Sequence, residues 1–228
     1  MNSQLNVAHI EPNSLVELLE LRAELQGHKT AYTFLIDGEQ QTVSMTYSEL
    51  DTQARTIAAT LQALGLQGER AVLLYPQGLD YIAAFFGCLY AGVIAVPAYP
   101  PKNKRTMPRL QAIIQDSQAA IILSTQAIAH SARGLCSEPE NGIDLDWLLT
   151  DQALTGDVNQ WRVPDLTVES LAFLQYTSGS TGLAKGVMVS HGNLMANQAI
   201  IKDGFGHDNQ STVVGWLPLY HDMGLIGN

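Results

Sequence analysis

Positive charge is scarce in this chain. Its 228 residues carry 12 lysines and arginines against 22 acids, a net charge of −10. A general nucleic-acid binder presents a basic face. The densest basic run here, Lys102, Lys104 and Arg105, reads as a solvated loop, so no nucleic-acid partner is expected. Cysteine is rarer still: Cys88 and Cys136 stand alone, without zinc-site or disulfide-scaffold spacing. A reducing cytoplasm fits that usage, and Cys88, in an apolar run, reads as a small core residue. His9, His28, His130 and His207 show no metal-ligand spacing. The first residues, MNSQLNVAHIEPNS, lack a basic stretch followed by an apolar one, so no signal peptide is read. Only Tyr81–Ala98 runs uncharged for about the minimum spanning length. Gly87, Gly92 and Pro97 interrupt it, and a buried helix feeding a buried strand explains it better than an integral membrane segment.

What is present is an ordinary globular composition, 46% hydrophobic and 15% charged. The length allows one large domain or two small ones. Ser14 and Glu17 have capping-box spacing, followed by Leu15, Leu18, Leu19 and Leu25 at helical intervals. AYTFLI and QTVSMT flank DGEQ and predict a β-hairpin. Thr46 and Glu49 make a second capping box, ahead of an apolar stripe of Leu50, Ala54, Ile57, Ala58, Leu61 and Leu64 that Gly65 ends. A βα rhythm follows: RAVLLY, a helix over Leu79–Ala91, GVIAVP, a helix over Met107–Ser117, and AAIILST. Short aliphatic strands between helices predict a partly parallel sheet buried on both faces, an α/β fold of layered sheets flanked by helices. The stretch from Gly134 to Leu166 reads as surface connections with one short strand at Trp147–Thr150. LAFLQYT, GVMVS and TVVGWLP read as strands, with a helix from His191 to about Lys202 and the start of another at YHDMGLIGN. No internal repeat or low-complexity tract is found.

The chemistry concentrates in YTSGSTGLAKGVMVSHGNL, Tyr176–Leu194. A P-loop needs G-x-x-x-x-G-K-[ST] running into a helix. Lys185 instead lies between Ala184 and Gly186 and leads into a β-rich run, so a Walker loop is rejected. A nucleophile elbow needs G-x-S-x-G, and Ser178 occupies the first glycine position. A bland flexible turn remains open for the loop taken alone. Glycines let successive N–H groups point at one spot. The hydroxyls of Thr177, Ser178, Ser180 and Thr181 add donors, and Lys185 adds the full charge that dipoles lack. Together they would cradle the phosphates of a nucleotide.

This stretch resembles the phosphate-loop signature of the adenylate-forming enzymes: acyl-CoA synthetases, luciferases and nonribosomal adenylation domains. Ala184 departs from it, where the family often has proline. GWLPLYHDMGLIG, Gly215–Gly227, is similar to the family's next motif. With VPAYPP at Val96–Pro101, it looks most like the fatty acyl-AMP ligase branch, which is often fused to or partnered with polyketide synthases. The resemblance runs from about Ser14 to the end and implies an incomplete N-terminal domain of the adenylate-forming fold over 1–228. The rest of that domain and the mobile C-terminal domain would lie outside. It implies activation of a long-chain fatty acid by ATP to acyl-AMP and pyrophosphate, for transfer to an acyl carrier protein or polyketide synthase module. Thr177, Ser178, Gly179, Ser180, Thr181, Gly182 and Lys185 would hold the β- and γ-phosphates. Thr181 would also help hold Mg²⁺, Lys185 and His221 would be catalytic, and Tyr220, His221, Met223 and Gly224 would meet substrate. Adjacent His221 and Asp222 are expected to point apart rather than form a dyad, and His191 to serve structurally. The acidic Mg²⁺ ligand, the ribose aspartate and the adenylation lysine of the family are expected later in sequence, so the 228 residues alone are expected to be inactive and to expose apolar surface. An acyl-CoA synthetase, an amino-acid adenylation domain and a silent nucleotide-binding or docking module are the alternatives.

Overall fold

The computed structural model describes residues 12–135, 143, 145–177 and 185–227. Helix α1 (Leu15–Gln26) starts where Ser14 accepts the Glu17 N–H. The reciprocal bond is displaced by one residue: the Glu17 carboxylate takes the Asn13 N–H at 2.9 Å. Val16 and Leu19 are the buried positions of this helix, and Leu25, expected on its apolar stripe, is 60% exposed. Strands β1 (Thr30–Leu35) and β2 (Thr42–Thr46) form the expected antiparallel hairpin. The full capping box at Thr46 and Glu49 opens α2 (Tyr47–Ala63). Its stripe is buried as far as Leu61, while Leu64 lies past the helix end and is exposed.

The main sheet is built from β3 (Arg70–Leu74), β4 (Ile94–Ala98), β5 (Ile121–Ser124), β6 (Asp146–Leu149), β7 (Leu171–Thr177) and β8 (Lys185–Ser190). Their spatial order is β6-β5-β3-β4-β7-β8. All neighbours are parallel except β7 and β8. The connections supply α3 (Leu79–Ala91), α4 (Met107–Ser117) and α5 (Gln126–Leu135). Sequence reading found α3 and α4 but not α5, whose buried face consists of the alanines Ala129 and Ala132. After β8 come α6 (His191–Phe205) and α7 (Asp222–Leu225).

Successive side chains of a strand point to opposite faces, and the central strands divide their residues between two cores accordingly. Ala71, Leu73, Ala95, Ile121 and Leu123 join the core that holds residues of α1, α2 and α3. Val72, Leu74, Val96, Ala98 and Ile122 join the other, with Leu110 and Ile113 of α4. Helices α2 and α3 pack closely because Gly87 is bare: a Cβ there would lie 2.5 Å from Ile57 Cγ2. Cys88 is buried beside it, and burial pushes its thiol pKa up. At the strand origins, Arg70 donates to the carbonyls of Ser117 and Gln118 at 2.9 and 2.8 Å.

One expected strand is not formed. Thr212–Pro218 pairs with no strand among the described residues, and Val214 and Trp216 are 77% and 83% exposed. Apolar alternation alone does not make a strand without a neighbour to take its N–H and C=O groups. No helix among the described residues is long and apolar enough to cross a membrane.

Candidate active site

In open parallel sheets, ligands bind outside the carboxyl ends of the strands, where the strand order reverses. Here β4 leads back past β3 to β5, whereas its other neighbour β7 leads on to β8, so the direction reverses between β4 and β7. Strand β7 runs parallel beside β4, and its last residue, Thr177, is on that same edge. Thr177 and Lys185 are direct cross-strand partners of the β7–β8 pair. The two feet of the loop are therefore side by side, and both residues are exposed. Ser178, Gly179, Ser180, Thr181 and Gly182 lie outside the described residues, and with them the Mg²⁺ assignment to Thr181.

The base of the loop is held by packing. Tyr176 faces Gly186 across the strands, and a Cβ on Gly186 would lie 3.0 Å from the Tyr176 ring. The glycine after Lys185 thus gives way to an aromatic face. The Tyr176 hydroxyl donates to Asp116 Oδ2 at 2.6 Å. Burial first, then that carboxylate, raises its pKa. Lys185 makes no ion pair among the described residues. An unpaired cation beside a hydroxyl at the sheet's carboxyl edge fits a polyphosphate. Among the described residues no group of three or more His, Cys, Asp or Glu could hold a metal.

The second cluster is the turn before α7. His221 N–H donates to Pro218 O, and Gly224 and Leu225 N–H both donate to His221 O, each at 3.0 Å. Contrary to expectation, His221 and Asp222 meet: Nδ1 lies 2.5 Å from Asp222 Oδ1. His221 is extended, with φ −106 and ψ 142, but Asp222 already begins the helix, so consecutive side chains turn to one side. The carboxylate engages Nδ1, which leaves Nε2 as the ring nitrogen available to a ligand. Asp222 Oδ1 also accepts the Met223 N–H at 2.8 Å. Met223 is exposed, while Gly224 is buried against the turn's own backbone.

Tyr220 is held from two sides. Its ring packs edge-on against Tyr99 with centroids 4.7 Å apart, and its carbonyl accepts from Gln175 Nε2 at 3.2 Å. Lys102 Nζ sits 5.1 Å from the Tyr99 ring centre. Lys102, Lys104 and Arg105 are all exposed, as a solvated loop requires, and Lys102 also lies over the Tyr99 ring. Sequence reading found neither Tyr99 nor Gln175, and only the VPAYPP wording pointed near the first.

His191, the first residue of α6, is 1% exposed, and its Nδ1 has no partner among the described residues. Burial lowers its pKa from the ordinary 6.5, and Glu17 opposes that weakly. A neutral folded imidazole that is protonated on unfolding gives stability that is complete above about pH 6.5 and lost as pH falls. Urea midpoints of the chain are therefore expected to fall between pH 7 and 5.5, with a shallower slope in His191→Gln. Equal slopes would show that other groups set the dependence.

The family follows from these features. Residues 19–228 match the AMP-binding enzyme family, and the chain belongs to it. Its similarity is to the fatty acyl-AMP ligase branch, and the fold is the N-terminal portion of adenylate-forming ligases. The medium-chain-fatty-acid–[acyl-carrier-protein] ligase JamA of Moorena producens is 44% identical over 223 residues, 95% of this chain and 37% of that protein. A long-chain-fatty-acid–AMP ligase of Mycolicibacterium smegmatis is 36% identical over 94% of this chain and 35% of its own length. Among solved structures, the fatty acyl-adenylate ligase from L. pneumophila in complex with acyl adenylate and pyrophosphate superposes with a TM-score of 0.84 at 39% identity, covering 95% of this chain and 37% of that one. The chain thus spans a little over a third of the length of these relatives.

Proposed function

We propose that these residues form the amino-terminal part of the adenylation domain of a cytoplasmic fatty acyl-AMP ligase and carry its triphosphate cradle. The observation that supports this most is the pairing of Thr177 with Lys185 at the carboxyl edge of the sheet. There the hydroxyl- and glycine-rich stretch begins and ends beside an ammonium that makes no ion pair among the described residues. In the reaction a fatty-acid carboxylate oxygen bonds to the α-phosphorus of ATP. The bond from that phosphorus to the bridging oxygen breaks, giving acyl-AMP and pyrophosphate. Negative charge grows on the departing pyrophosphate, and Lys185, with donors of the Thr177–Gly182 stretch, stabilises it there. Mg²⁺, when bound, screens the triphosphate.

His221 stands on the acyl side. With Nδ1 engaged by Asp222, its Nε2 is the atom left to bond the substrate carboxylate or the α-phosphate. Tyr220 and Met223 border that position. Holding both reactants on one sheet edge removes much of the entropic cost of bringing them together. The acyl group then passes from acyl-AMP to the thiol of an acyl carrier protein, the acceptor named for the Moorena relative, breaking the acyl–phosphate bond and releasing AMP and the thiol proton.

The test is ATP–pyrophosphate exchange dependent on a long-chain acid. No exchange is expected from the 228 residues alone. Exchange is expected once the chain is completed to the length of its relatives, followed by acyl transfer to a carrier protein rather than to CoA. Exchange that ignores the fatty acid, or a preference for CoA, would refute the assignment.

A further inference from the structure

We infer that Gln175 is a positioning residue that sets the orientation of His221 from the strand feeding the phosphate loop. The inference rests on the reading of His221 given above. Gln175 lies on β7, two residues before the strand's last residue, Thr177. It is 6% exposed. Its Nε2 donates across the sheet edge to the carbonyl of Tyr220, the residue before His221. That bond fixes the Tyr220–His221 peptide plane, from which the imidazole projects. Opposite it, Tyr99 packs on the Tyr220 ring. The turn is thereby fastened to two neighbouring parallel strands, to β7 through Gln175 and to β4 through Tyr99, the residue after its last.

The other end of the amide argues against a role in folding alone. Gln175 Oε1 is buried with no hydrogen-bond partner among the described residues. An unfilled buried acceptor is costly, so removing it offsets the cost of leaving the part-buried Tyr220 carbonyl without its donor. Burial alone would be served better by methionine. What glutamine adds is its one donated bond, and that bond goes to the His221 turn.

Gln175→Met separates the two roles. In the polypeptide completed to the length of its relatives, the variant is expected to unfold at a denaturant midpoint no lower than the parent. Its kcat for ATP–pyrophosphate exchange should fall about tenfold, with KM for ATP within about twofold. Gln175→Glu should lose at least as much, because its carboxylate meets the Tyr220 carbonyl without a donor. An unchanged kcat in Gln175→Met overturns the inference, as does a loss of rate that only follows a loss of folded protein. A second readout does not depend on the ligase reading. In the 228-residue chain, Gln175→Met should speed hydrogen exchange of the His221, Gly224 and Leu225 amides about tenfold. Unchanged amide exchange overturns the tether even if the completed parent shows no exchange of pyrophosphate, a result that by itself would remove only the proposed function.

Discussion

Lys185→Ala is expected to slow acid-dependent ATP–pyrophosphate exchange of the completed ligase by about 10²–10³-fold, the loss typical of a charge-stabilising donor at a developing anion. The side chain is exposed at the start of β8 and makes no ion pair among the described residues. Folding should not notice the change, and the unfolding free energy from urea titration should stay within about 0.5 kcal/mol of the parent, as for other surface substitutions. Lys185→Arg keeps the charge but not the shape of the head group, and should recover only part of the rate. Steady-state exchange at several ATP concentrations is the measurement. Parental rate and ATP affinity in Lys185→Ala would leave the cradle without its cation.

Gly224→Ala should have the second large effect, through the backbone. A Cβ at Gly224 would lie 2.2 Å from Pro218 O, 2.7 Å from Pro218 C and 2.9 Å from Leu217 O. None of these is the free end of a side chain that could swing away. The turn must open, at a cost of about 3 kcal/mol, the upper end for an overpacked site. Opening breaks the pattern of bonds from Gly224 and Leu225 to the His221 carbonyl. Exchange activity should then drop about 10²-fold, while the core, built on other elements, still unfolds cooperatively. Parallel measurement of exchange rate and urea midpoint checks both halves. A Gly224→Ala enzyme with parental rate would mean that the geometry of the His221 turn is irrelevant to the reaction.

Where local chemistry dictates structure, the sequence was readable. The Thr46–Glu49 box, the bounds of α3 and α4 and the course of β7 follow from caps, periodicity and β-branched runs that act within a few residues. Helix α5 escaped because it is only ten residues long and the residues it buries are the small alanines Ala129 and Ala132. Thr212–Pro218 misled for the opposite reason: its side chains suit a strand, but pairing is a property of the neighbour. The site divides in the same way. Thr177, Lys185 and the His221 turn were visible as motifs. Gln175 was not, because its meaning comes from a carbonyl 45 positions away in sequence. The His221–Asp222 contact was missed because it depends on one backbone change at a helix start.

The double-sided greasiness of the central strands removes a safeguard that most sheets possess. In a half-wet sheet, sliding a strand by one residue turns its apolar set outward and is punished by water. Strand β3 has Ala71 through Leu74 all fully buried, so a slipped version would still hide only hydrocarbon. Alignment must therefore be imposed from the ends. Arg70, gripping the last carbonyl of α4 and the one after it, ties β3 to the point from which β5 departs. One guanidinium at the margin does for the middle of the sheet what polarity does elsewhere, and through β4 and β7 the placement of Thr177 and Lys185 inherits that alignment.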